Sequence, residues 1–174
     1  MNYKSQFGQD EFALKQTNFK KEGFYIDIGC GEPSFINNTY VLEKDYYWSG
    51  LSIDKDKKRT DKWNGVRSTQ NLYNESVFDL DISSILKEMN APNLIDYLSM
   101  DLEPPDLTFQ ALDVIPWSEY KIKIVTYEHD SYRNNSKYVE PSRKFFTEKG
   151  YTRYDLSFLK PSVSRIEDWW ILNE

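Results

Sequence analysis

Cysteine is almost absent from this chain: Cys30 is the single one among 174 residues, so no disulfide can form within it. One lone thiol suits a reducing compartment. Also missing is any run of about 18 apolar residues, the minimum for a membrane-spanning helix. The opening stretch Met1-Asn2-Tyr3-Lys4-Ser5-Gln6 holds no apolar segment of the signal-peptide kind. These absences lead to the expectation of a cytoplasmic protein with no membrane partner. An excess of positive charge is lacking too. The net charge of −6 argues against gripping nucleic acid through bulk electrostatics. The one basic run, Lys55-Asp56-Lys57-Lys58-Arg59, is short, contains an acid and reads as a solvated helix start. No repeat, low-complexity tract or Pro/Gly-rich linker divides the chain. Its length fits one domain, so residues 1–174 are read as a single domain.

What the sequence has in quantity is aromatic: thirteen Tyr, ten Phe and five Trp. With a modest aliphatic load, these rings are expected to carry much of the core packing. Short apolar runs recur at 24–28, 50–53, 95–100 and 122–127, each with the β-branched and aromatic enrichment of a buried strand. Amphipathic segments at 9–19, 37–45, 82–89 and 106–114 read as helices between them, the third capped by Asp81. A weaker strand is expected at 66–69. Strands alternating with helices imply parallel βαβ units, hence an α/β fold with a doubly wound, Rossmann-like, mostly parallel sheet. A helix at 140–149 ending at Gly150 precedes two aromatic-rich segments, 151–159 and 166–172. Those two are expected to pair antiparallel and close one sheet edge, unlike an ordinary dinucleotide dehydrogenase.

Four strand ends carry the chemistry. The first is Asp27-Ile28-Gly29-Cys30-Gly31, where the two glycines permit a tight turn and bring backbone N–H groups against a ligand. Asp27 is placed to accept from loop amides or a ligand ammonium. A full dinucleotide fingerprint needs a third glycine three residues on, and Ser34 stands there. The second is Asp54, 23 residues after Gly31, the spacing at which an acid accepts both hydroxyls of a ribose. The third is Ser99-Met100-Asp101-Leu102-Glu103, placing Asp101 and Glu103 where open α/β sheets bind ligands. The fourth is Tyr127-Glu128-His129-Asp130, with the chain's only histidine.

The order of these pieces resembles the FkbM-type methyltransferases. The resemblance rests on Ser5-Gln6-x-Gly8-Gln9-Asp10-x-Phe12, the Asp27-x-Gly-x-Gly31 loop, and Asn37-Asn38-Thr39-Tyr40-Val41-Leu42-Glu43. It continues through Trp48-Ser49-Gly50-Leu51-Ser52-Ile53-Asp54, Ile95 to Glu103, Val125-Thr126-Tyr127-Glu128-His129 and Ile166-Glu167-Asp168-Trp169-Trp170. Two departures stand out: Glu103 is followed by Pro104 where the family has glycine, and the segment between Arg67 and Asp79 is short, implying an altered adenine pocket. What the resemblance implies is S-adenosylmethionine as cofactor and methyl transfer to a hydroxyl of a small acceptor, often a sugar. By the same analogy Gly29, Cys30 and Gly31 hold the methionine part, Asp54 the ribose, Gln6 and Asn38 flank the cofactor, and Asp101 faces the sulfonium.

Methyl transfer from a sulfonium mainly needs two partners held at near-attack distance with water excluded, plus a base for an acceptor hydroxyl. His129, Asp101 and Glu103 are the candidates, in that order. No metal is expected, the alternative being a divalent cation bridging Asp101, Glu103 and Glu128. Acceptor selectivity is expected from loops 71–79 and 132–138, and exposed C-terminal aromatics suit a homodimer contact. The rival readings are a nicotinamide-dependent oxidoreductase and a non-catalytic nucleoside-binding module.

Overall fold

The computed structural model describes residues 2–133 and 136–173. Its strands are β1 (Phe24–Ile28), β2 (Ser49–Ile53), β3 (Leu72–Tyr73), β4 (Leu94–Met100), β5 (Lys121–Glu128), β6 (Tyr151–Arg153) and β7 (Glu167–Leu172). Six helices alternate with them: α1 (Gln9–Gln16), α2 (Tyr40–Tyr46), α3 (Lys57–Thr60), α4 (Ile82–Glu88), α5 (Pro105–Gln110) and α6 (Val139–Glu148). The sheet runs β3-β2-β1-β4-β5-β7-β6, with the first five strands parallel and β7 antiparallel to both neighbours. This is the doubly wound, mostly parallel sheet with an antiparallel terminal pair that the alternation implied.

The four apolar runs became strands because both sheet faces are covered; every residue of β1 is buried. One face carries Ile26, Ile28, Leu98, Val125 and Trp170 against α4 and α6. The other carries Tyr25, Tyr97, Ile124 and Trp169 against Phe12 and Leu14 of α1 and Leu42 of α2. Aromatic rings do carry much of this packing: Phe146 stacks on Trp170 at 5.0 Å and meets Tyr127 and Tyr151 edge-on at 5.5 and 5.7 Å. Asp81 caps α4 as expected, accepting from the Ser84 amide.

Several boundaries differ from expectation: α1 ends at Gln16 instead of 19, α5 at Gln110 instead of 114, and β6 at Arg153 instead of 159. The third strand is at Leu72–Tyr73, not 66–69. There the amides of Val66 and Arg67 both turn back onto the Trp63 carbonyl, at 2.9 and 3.0 Å, so neither is free to join a ladder. Helix α2 starts at Tyr40 instead of residue 37, because the Asn37 side chain accepts from the Thr39 and Tyr40 amides. Among the described residues no helix is long and apolar enough to cross a membrane.

Candidate active site

Strand order reverses between β1 and β4, the topological switch point at which α/β sheets open a crevice beyond the strand ends. A cavity of about 360 Å³ lies there, within the range of roughly 300–1,000 Å³ typical of small-molecule sites. It is lined by Gly29 after β1, Asp54 after β2, Asp101 and Glu103 after β4, and Glu128 and Asp130 at the end of β5. Gln6 closes one side.

The glycine loop serves a different purpose from the amide display that its sequence suggests. The Gly29 and Cys30 amides both donate to the Ile53 carbonyl, at 2.8 and 3.1 Å, and the Gly31 amide donates to Asp54 Oδ2 at 2.8 Å. The loop folds over the end of β2, and its N–H groups are consumed in holding that strand end. Glycine at 29 is required by close approach: a Cβ there would lie 1.7 Å from the Asp101 carbonyl oxygen, at φ +81°. Replacing Gly29 with Ala is therefore expected to destabilise the fold by about 3 kcal/mol or more, combining left-handed strain with the clash. Thermal denaturation measures it, and a melting temperature like the wild type's refutes it.

Asp54 joins both halves of this junction. Its Oδ1 accepts from the Asp56 amide at 2.7 Å while Oδ2 holds Gly31. An ionised carboxylate offers about four lone-pair sites, so acceptor capacity remains on the edge that lines the cavity. Arg59, from α3, lines the same wall. Among the described residues none from 67 to 79 lines the cavity, in keeping with the short segment noted in the sequence; the loop 71–79 thus lies away from it. Of the loop 132–138, Tyr132 and Arg133 line the cavity, while residues 134–135 lie outside the described residues.

Several residues singled out from the sequence sit behind the cavity, not in it. Asp27 is buried and accepts from Thr39 Oγ1 at 2.7 Å, and burial raises its proton affinity. Cys30 is buried, with its thiol pushed up by the same desolvation. Asn38 donates to Ser99 Oγ at 3.0 Å. His129 is also out of reach. Successive strand residues face opposite ways, so Glu128 reaches the cavity while His129 points behind it. There its Nδ1 accepts from the Ser131 amide at 3.3 Å, and Nε2 lies 3.7 Å from Asp168, which Arg143 clasps at 2.7 Å. Burial lowers the proton affinity of this ring.

The carboxylates at the ends of β4 and β5 crowd one another. Desolvation, reinforced by Glu103 and Asp130, pushes Asp101 up to about 6 from an ordinary 3.8. Glu128 is pushed further, first by burial and then by the charge on Asp101, and it donates to Asp101. Glu167, opposite Glu128 on β7, is raised to about 8 by burial and accepts from Gln9 Nε2 at 2.9 and 3.1 Å. Arg133 answers the group, donating to Glu103 at 2.6 Å and lying 3.2 Å from Asp130. The role of Arg133 and the partnership of Glu128 with Asp101 depend on a turn and a strand pairing that the sequence does not announce.

Neither a protein-family model nor a curated protein matches the chain. Solved structures do. A candidate rRNA methylase from Clostridium thermocellum aligns over 100% of this chain and 99% of its own, with a TM-score of 0.62 and 16% identity. The plantazolicin methyltransferase BpumL, bound to S-adenosylhomocysteine and a triazolic desmethyl analogue, aligns over 96% and 84% at a TM-score of 0.57 and 11% identity. The fold is that of the class I methyltransferases. A precorrin-6y C5,15-methyltransferase from Geobacter metallireducens shares it over 95% and 87%, at a TM-score of 0.52 and 9% identity. Identities this low speak to architecture alone.

Proposed function

We propose that this protein is an S-adenosylmethionine-dependent methyltransferase, of the FkbM type its motifs resemble, acting on a hydroxyl of a small acceptor such as a sugar. The observation that carries the reading is the junction of Asp54 with Gly31: the acid tipping β2 is fixed by the β1 loop it faces, and its free edge opens on the cavity. The bound cofactor supplies a methyl carbon activated by a sulfonium. Asp54 holds the ribose hydroxyls, Gln6 closes the flank, and Asp101 serves as the base that takes the acceptor proton. Asp101 replaces His129 in that role, because the cavity reaches the one and not the other. A proton affinity near neutrality suits a general base.

The acceptor end is acid-lined, with Asp101, Glu103, Glu128 and Asp130 set against Arg133. Such a wall favours neutral or cationic acceptors over phosphates and, with the net charge of −6, supports a small molecule over a nucleic acid. Nothing in the geometry favours a nicotinamide dinucleotide, whose pyrophosphate would need loop amides that are here already engaged.

Thermal denaturation with ligand tests the reading. At about 100-fold above Kd, a ligand of the native state adds roughly 2.7 kcal/mol, which raises the melting temperature of a domain this size by about 5–10 °C. S-adenosylhomocysteine is expected to produce that rise and NAD to leave it unchanged. A rise with NAD alone reverses the assignment.

A further inference from the structure

We infer that Asn37, oriented by Arg67 and seconded by Trp63, is the residue that sets the shape of the glycine loop, and that these three are positioning residues for the nucleoside site. The role assigned to the loop rests on the methyltransferase reading; the clasp itself does not.

Three consecutive loop carbonyls are held from outside the cavity. Asn37 Nδ2 donates to the Cys30 carbonyl at 2.8 Å and to the Glu32 carbonyl at 2.9 Å. Trp63 Nε1 donates to the Gly31 carbonyl between them, at 2.9 Å. Neither Asn37 nor Trp63 lines the cavity, so the carbonyls they bind point away from it. A ligand carboxylate or hydroxyl approaching the loop is thereby spared three oxygen lone pairs. The amides on the same stretch are fixed by Ile53 and Asp54, which leaves the loop with both its edges determined.

The orientation of the Asn37 amide is itself dictated. Its Oδ1 accepts from Arg67 Nη1 at 2.9 Å and from the amides of Thr39 and Tyr40 at 3.0 and 2.7 Å. A flipped amide would aim donors at three donors and an oxygen at two carbonyls. Only a side chain with a donor on one side and an acceptor on the other fits, and Asn37 is 1% exposed. Arg67 is locked in turn: its side chain is fully buried, pairs with Glu43 at 2.8 Å, donates to Tyr25 Oη at 2.9 Å, and stacks on the Trp63 ring at 4.1 Å. Replacing a buried ion pair by apolar groups is often neutral or stabilising, so stability gives little reason for a guanidinium here. Orientation of Asn37 and Trp63 does. The backbone N–H of Asn37 donates to the Lys4 carbonyl at 3.1 Å, tying in the segment that brings Gln6 to the cavity.

Asn37→Asp tests the clasp directly. The carboxylate keeps the contacts of Oδ1 but loses both donors and sets an oxygen against the Cys30 and Glu32 carbonyls, so the variant is expected to melt several degrees below wild type. At a temperature where it is folded it is expected to bind S-adenosylhomocysteine at least about tenfold more weakly by calorimetry, and to exchange the amide hydrogens of residues 29–31 at least about tenfold faster. Trp63→Phe, which keeps the stack on Arg67 and removes one donor, is expected to weaken binding about fivefold; it decides the matter if the first variant does not fold. Wild-type affinity together with wild-type exchange in a folded variant overturns the inference. Absence of S-adenosylhomocysteine binding by the wild type would instead defeat the methyltransferase reading, and the exchange rates alone would then judge the clasp.

Discussion

Replacing Asp54 with Ala is expected to weaken S-adenosylhomocysteine binding about a hundredfold. Hydrogen bonds to a charged group contribute about 1.5–3 kcal/mol each, and a ribose presents two hydroxyls to this carboxylate. Part of that is returned because water solvates the hydroxyls of the free ligand, so a loss of about 3 kcal/mol, or a hundredfold in Kd, is a fair central figure. A second effect has the same sign. In the free protein Asp54 holds the Gly31 amide at 2.8 Å and the Asp56 amide at 2.7 Å, so its removal loosens the loop that forms the opposite wall. Asp54→Asn retains one acceptor oxygen without the charge and is expected to fall between, about tenfold weaker than wild type. Isothermal calorimetry on both variants gives the ordering. Equal affinities for wild type and Asp54→Ala would mean that the ribose lies elsewhere, whatever the fold.

The four central strands were readable from the sequence because their environment is simple: buried on both faces, they need only apolar and β-branched residues in short runs. Their tips were readable for a related reason, since an acid that ends such a run has left the core at the end where ligands bind. What was not readable depends on contacts distant in the chain. Val66 to Thr69 has strand-like residues, but Arg67 is drawn to Glu43 and Asn37, 24 and 30 residues away, and the chain turns there instead. Asn37 reads as the first residue of a helix and in fact precedes it, its side chain accepting from the Thr39 and Tyr40 amides and clasping the loop. The choice between Glu128 and His129 shows the limit most clearly. Alternation puts them on opposite faces, and only the folded structure shows that Glu128 lies on the face of the cavity and His129 on that of Asp168 and Arg143.

Asp101 gives the second large effect, and one part of it needs no acceptor. S-adenosylmethionine carries a positive sulfonium that S-adenosylhomocysteine lacks, so a carboxylate beside that sulfur favours the former only while ionised. Because burial and neighbouring acids place the Asp101 titration at about 6 rather than 3.8, the preference is expected to grow as pH rises through about 6 and to fade as pH falls below it. Two unit charges 4 Å apart share about 4 kcal/mol at an effective dielectric of 20; a third of this gives a swing of about tenfold in the ratio of the two affinities. Asp101→Asn is expected to flatten that ratio across the range while leaving S-adenosylhomocysteine binding near wild type, since the neutral product asks nothing of the charge. The same variant is expected to lose methyl transfer by about a hundredfold or more, the usual contribution of a positioned base, and the acid limb of the wild-type rate should follow the affinity ratio through the same pH window. A ratio independent of pH in the wild type would place the sulfonium away from Asp101. A ratio that titrates in Asp101→Asn as it does in the wild type would pass the charge, and the role of base, to Glu128.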